Sequence, residues 1–225
     1  MGTSRTTMTQ PGAYFSLAAP FLKIIGLYSN TQEGSGAGVI ADNGVVGQAQ
    51  SRFLIDQLKQ AKADAKSGFR GAVVLAVHHP PFTASEAHNP SPDVLDDLDK
   101  ASTQAGFSPD IVLSGHSHLY ERYTRYVGGR QVPFVVAGCG GYYNLNGLKP
   151  HPMSPPPYES KDRNGNRVVL EHYFDKIFGF LRIAVSAAFL SCEYVGVTDD
   201  ASPGKTLDRF SLDLSAHQLI AFRRP

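Results

Sequence analysis

Apolar runs of strand length alternate with helix-length amphipathic segments through the first half of the chain, and then only strand patterns follow. This order constrains the fold most. Leu22 to Tyr28 and Gly71 to Val77 read as strands, and so does Asp110 to Ser114. Between them, Gln50 to Lys66 carries Phe53, Leu54, Leu58 and Ala61 at helical spacing and is followed by Gly68. Pro90 to Gln104 is a second helical segment, with Asp93 in its first turn and Gly106 after its end. Gly71 to Val77 is continuously apolar and β-branched, as expected of a strand buried on both faces. Strand, helix, strand, helix, strand predicts an α/β layered core.

Beyond Gly115 the chain predicts strands at Tyr120 to Val127, Gln131 to Ala137, Val168 to Phe174, Phe180 to Ser186, Phe189 to Val197 and Arg209 to Leu214. Gly128-Gly129 reads as a hairpin turn between the first two. Ala13 to Leu17 is expected to be a further strand before Pro20. Glu33 to Gly47 reads as a loop. The stretch 142–166, polar and containing Pro155-Pro156-Pro157, reads as one long surface loop. No boundary divides the chain, so 1–225 is read as a single domain.

Two short histidine clusters follow two of the buried strands. His78 stands in Val77-His78-His79-Pro80-Pro81, and His116 and His118 in Gly115-His116-Ser117-His118. Ligands of open α/β sheets bind beyond the carboxyl ends of strands, where both clusters lie. Residues two apart in extended chain point the same way, so His116 and His118 can face one cleft. Imidazoles in this setting suit borderline-soft metal ions, and His78, His116 and His118 are the candidate ligands. His79 is a ligand, a substrate contact or a packed neighbour. His88, after a short polar stretch, reads as solvated.

Composition excludes several classes. A formal net charge of +1 gives no broad attraction to nucleic acid or anionic membrane. The longest apolar stretch, Phe180 to Leu190, is interrupted by Arg182 and is too short to span a bilayer. Residues 1–12 lack the apolar block of a signal peptide, which makes the cytoplasm the default expectation. Cys139 and Cys192 are two buried thiols or one disulfide. The burial habit of free cysteine favours thiols. The sequence sets no oligomeric state.

The histidine motifs resemble those of the calcineurin-like metallophosphoesterases, in particular the purple acid phosphatase branch. That family has a histidine, any residue and then proline after one core strand, matched by His78-His79-Pro80. It has Gly-His-x-His after a later strand, matched by Gly115 to His118. Leu119-Tyr120-Glu121-Arg122 resembles the purple acid phosphatase continuation, and Phe178 to Arg182 resembles the start of the closing hairpin. The resemblance spans Gly12 to His217.

It implies part of a four-layer α/β/β/α sandwich with mixed sheets, and hydrolysis of a small phosphoester at two metal ions (Fe, Mn or Zn). By resemblance, His78 and His116 would share one ion and His118 would bind the other. His79, His88 and His151 are the available histidines for contacting phosphate or protonating a leaving group. The family's early Asp and Asn motifs are absent, and the first thirty residues contain no Asp, Glu or His. Asn30, Glu33, Asp42 and Asn43 do not replace them.

The expectation is therefore a truncated, carboxyl-terminal portion with its first strands missing and the edge of Leu22 to Tyr28 uncovered. It would hold at most one ion alone and turn over little. The alternative is a non-catalytic remnant that binds a metal or a partner.

Overall fold

The computed structural model describes residues 7–30, 46–68, 71–141, 143–149, 156–198 and 204–224. A nine-stranded mixed sheet is its centre, in the order β1-β2-β3-β4-β5-β7-β6-β9-β8. These strands are β1 (Thr7–Thr9), β2 (Phe15–Ala19), β3 (Leu22–Leu27), β4 (Ala72–Val77), β5 (Ile111–Ser114), β6 (Tyr120–Val127), β7 (Arg130–Ala137), β8 (Tyr158–Lys161) and β9 (Arg167–Phe174). β3, β4, β5 and β7 run parallel, whereas β6 pairs antiparallel with both β7 and β9. A second sheet has the order β10-β11-β12-β13, from β10 (Phe178–Val185), β11 (Phe189–Val197), β12 (Lys205–Asp213) and β13 (Gln218–Ile220).

The period of two along each strand sorts the core into two halves. On one face Ile25, Val73, Leu75, Val77 and Val112 pack beneath helices α1 (Gln48–Lys66) and α2 (Pro92–Ala105), which contribute Leu54, Leu58, Val94 and Leu98. On the other face Ala72, Val74, Ile111 and Val135 meet Leu190, Cys192, Tyr194 and Phe210 of the second sheet. The result is three layers, helix on sheet on sheet. Because both faces are covered, β4 reads as an unbroken apolar run rather than an alternation.

Local signals behave as their chemistry requires. Gly128 and Gly129 both have positive φ (57° and 76°) in the two-residue turn between β6 and β7, the combination a type I′ hairpin needs. Gly106 ends α2 in the left-handed conformation (φ 62°). Cys139 and Cys192 are buried free thiols.

Two expectations are corrected. β3 does not form an open edge: β2 pairs antiparallel along it from Phe15↔Gly26 to Ala19↔Leu22, and β1 lies outside β2. β2 has the five-residue length expected of Ala13 to Leu17 but lies two residues later. Nor is 142–166 one loop. Tyr158–Lys161 pairs with Arg167–Leu170 as an outer strand, through a turn in which Asp162 accepts from the backbone of Asn164 and Asn166. Its exposed Glu159 and Lys161 suit a sheet edge, and their polarity hid the strand.

The two sheets are tied by a buried charged network. Arg122 of β6 donates to Asp208 of β12 through Nε (2.6 Å) and Nη2 (3.2 Å), and the Tyr120 hydroxyl donates to the same carboxylate (2.8 Å). Burial acts to raise the Asp208 pKa, but the Arg122 guanidinium and the Tyr120 hydroxyl outweigh it and hold the carboxyl below its ordinary value. Removing one partner leaves the other charge buried. Asp208→Ala is expected to destabilise the fold by about 3–5 kcal/mol, read as a fall in the denaturant midpoint. A loss below about 1 kcal/mol would show that water compensates Arg122.

Candidate metal centre

The chain reverses at the end of β4 and again at the end of β5, and these two turns bring five imidazoles together. Backbone pairing fixes their approach: Gly115 N donates to His78 O (3.1 Å). His116 then takes φ 64°, a left-handed conformation rare outside glycine and typical of functional turns. Gly138 lets the next loop pass close by, since a Cβ there would lie 2.0 Å from the Ser117 carbonyl oxygen.

His78 Nε2 and His116 Nδ1 are 3.1 Å apart. His116 is buried and His78 is exposed, so the pair forms a floor and a rim. His88 lies against His116 with ring centroids 4.2 Å apart, and 5.9 Å from the His118 ring. His88, expected from the sequence to be solvated, therefore packs within the cluster. The polar residues before it carry no periodic signal that would have shown this.

His79 is 1% exposed, and its Nδ1 lies 2.8 Å from Ser29 Oγ. Its backbone N–H also donates to Ser29 Oγ (3.2 Å). Its ring is therefore buried against the Ser29 hydroxyl. His118 Nδ1 sits 2.8 Å from the Asn144 carbonyl oxygen, so a proton on Nδ1 that donates to it puts the ring's lone pair on Nε2. Asn146 Oδ1 accepts from His118 N (2.8 Å) and secures the turn. His151, Glu33, Asp42 and Asn43 lie outside the described residues. Asn30 sits just beyond β3, next to Ser29.

A residue with no assigned role in the sequence reading binds the two turns together. Glu121 of β6 is fully buried. It accepts from Thr83 Oγ1 (2.7 Å), Ala84 N (2.7 Å) and the Tyr123 hydroxyl (2.9 Å). Thr83 in turn lies 3.1 Å from Ser117 Oγ, inside the Gly-His-Ser-His turn. One carboxyl thus connects the segment after His78 with the turn that holds His116 and His118.

Only the nearest pair of ring nitrogens has a spacing compatible with two ligands of one ion. If each nitrogen lay roughly 2.0–2.1 Å from a shared ion, a 3.1 Å separation would subtend roughly 95–102° there, between octahedral and tetrahedral values. The fit ends there. Among the described residues, no group of three or more His, Cys, Asp and Glu side chains is arranged to hold a metal ion.

The fold identifies the architectural class. It is similar to a purple acid phosphatase, PPD1, isolated from yellow lupin (Lupinus luteus) seeds, with a TM-score of 0.62 and 16% identity over 91% of this chain and 33% of that one. It is also similar to the structure of PhoD, with a TM-score of 0.57 and 12% identity over 95% of this chain and 44% of that one. The chain therefore has the calcineurin-like metallophosphoesterase fold, and it spans between a third and a half of the length of these two structures. No family model matches the sequence, and no curated protein matches it. No helix among the described residues is long and apolar enough to cross a membrane.

Burial raises the Glu121 pKa to about 7, against the opposing pull of its three hydrogen bonds. The native state then holds this proton more tightly than the unfolded chain does. The resulting stabilisation is complete below about pH 4.5 and is lost as pH rises through about 7. Glu121→Gln, which mimics the protonated form, is expected to flatten the fall in Tm between pH 5 and pH 8. Parallel curves for the two proteins would place the titration elsewhere.

Proposed function

We propose that the imidazole cluster is the histidine half of a metal-dependent phosphoester hydrolase centre. The 3.1 Å approach of His78 Nε2 to His116 Nδ1 carries the reading, because two strands converge to present nitrogens at a spacing that fits one ion. Imidazole ligands suit Zn and Fe, whereas Mn favours oxygen donors that water would have to supply. A bound ion would act as a Lewis acid on the phosphoryl oxygen and lower the pKa of its water.

Each histidine has a distinct task in this reading. His78 and His116 hold the ion. His118, oriented by Asn144, directs Nε2 toward a second position. His88, packed against His116 with the rings tilted by 48° and partly exposed, is placed to meet the phosphate or to protonate the leaving oxygen. His79 positions the turn through Ser29 and does not reach substrate. The substrate class is a small phosphoester.

Three imidazoles carry no negative charge, so a second divalent ion nearby would meet strong repulsion. The described residues therefore suit one ion, with low turnover by the chain alone. A second reading is a non-catalytic metal- or partner-binding remnant, since the described residues hold no group of three or more donors from which a complete hydrolytic centre could be built.

Calorimetric titration with Mn²⁺ or Zn²⁺ is expected to give one ion per chain, with at least a tenfold loss of affinity in His116→Ala. Metal-dependent cleavage of p-nitrophenyl phosphate that is slow but lowered further by His88→Ala supports the hydrolase reading. Binding with no cleavage supports the remnant. Failure to bind any ion would overturn both metal readings.

A further inference from the structure

Thr83 stands between two acceptors with a single hydrogen to give. Its Oγ1 lies 2.7 Å from Glu121 Oε2 and 3.1 Å from Ser117 Oγ, and it also accepts from Ser85 N (3.1 Å). A hydroxyl has one donor hydrogen and two lone pairs, so Thr83 cannot donate to both neighbours at once. Thr83, Ser117 and Glu121 are all buried.

The other carboxyl oxygen is committed. Glu121 Oε1 accepts from Ala84 N (2.7 Å) and from the Tyr123 hydroxyl (2.9 Å), which fills its two lone pairs. A proton arriving on Glu121 therefore goes to Oε2, the atom that faces Thr83.

Two hydrogen-bond patterns then satisfy the same heavy atoms. With the carboxyl ionised, Thr83 donates to Oε2 and accepts from Ser85 N and from the Ser117 hydroxyl. With the carboxyl protonated, Oε2–H donates to Thr83, which keeps its bond from Ser85 N and donates to Ser117 Oγ. The hydrogen and both lone pairs of Thr83 are used in each pattern, as a buried network requires. Only the direction changes: Ser117 is the donor in the first pattern and the acceptor in the second.

We propose that Glu121, Thr83 and Ser117 form a pH-sensitive switch, in which protonation of the carboxyl reverses the chain and resets the hydroxyl between His116 and His118. The switch rests on contacts of the metal-free chain, so it stands or falls apart from the metal reading. Burial raises the Glu121 pKa to about 7, which sets the reversal near neutral pH. Burial also pushes Tyr123 well above its ordinary value, so it remains a hydroxyl donor in both states. Lys149 favours the ionised carboxyl. Across the sheet Glu121 pairs with Val136 of β7 and Tyr173 of β9. The segment after β4 carries Glu86 and His88, and the turn after β5 carries His116 and His118. Arg122 is committed to Asp208 of the second sheet.

Two-dimensional NMR of the metal-free, isotope-labelled chain between pH 5 and pH 9 tests this. The Glu121 carboxyl carbon is expected to titrate with a midpoint of about 7, and the Ser117 amide to show a step at the same midpoint. In Thr83→Val, which removes the hydroxyl, that Ser117 step should vanish. The Glu121 carboxyl should still titrate there, at higher pH, because a hydrogen bond to its charged form is gone. Contributions from the neighbouring histidines persist in this variant, so the loss isolates the relay. Should Thr83→Val fail to fold, Glu121→Gln carries the test, because its amide is a fixed donor toward Thr83. Its Ser117 amide should match the native protein at pH 5 and differ from it at pH 9. A Ser117 step that survives in Thr83→Val, a Glu121→Gln match at pH 9 instead of pH 5, or a Glu121 carboxyl that does not titrate in this range would each overturn the proposal.

Discussion

The Glu121 carboxyl is the contact on which the candidate site depends. The two histidine-bearing turns are 38 residues apart in sequence between His78 and His116. Neighbouring parallel strands bring them to the same end of the sheet, but strand pairing alone does not hold irregular turns in register. Glu121 gathers Thr83, Ala84 and Tyr123, and Thr83 extends the link to Ser117. Buried networks of this kind are stable only when every member is satisfied. Such a network leaves little freedom for His78 and His116 to drift apart.

This clamp works because the sheet beneath it is covered on both faces. The helices bury one set of alternate residues and the four-stranded sheet buries the other. Arg122, the residue after Glu121, reaches the opposite face and bonds Asp208. Consecutive residues of β6 therefore perform opposite tasks: Glu121 organises the histidine turns and Arg122 joins the sheets. Alternation along a strand makes this division possible. Tyr120 stacks on Tyr194 with ring centroids 4.0 Å apart, which adds an aromatic contact beside the ion pair.

Much of the architecture was legible in the sequence. Buried parallel strands such as β4 announce themselves as continuous apolar runs, and Gly128-Gly129 and Gly106 mark a hairpin and a helix end through their need for positive φ. β8 was hidden because an exposed edge strand with Glu159 and Lys161 has the composition of a loop. β1 and β13 are three residues long, too short for periodicity to show. In the site, His78, His116 and His118 stood out by their positions after strands. His88 did not, because its place follows from the path of an irregular segment. The roles of Glu121, Ser29 and Asn144 depend on tertiary contacts between segments remote in sequence, which no local pattern encodes. The similarity to a purple acid phosphatase and to PhoD at 16% and 12% identity fits this division. Layer packing persists while individual side chains change.

In the proposed centre, two imidazoles from the ends of adjacent strands seat one cation. X-ray absorption spectroscopy of the Zn-loaded chain addresses it directly. The account predicts a nearest-neighbour shell with two imidazole nitrogens at about 2.0–2.1 Å, reduced to one in His78→Ala. A shell made only of oxygen, or one unchanged by that substitution, would contradict it.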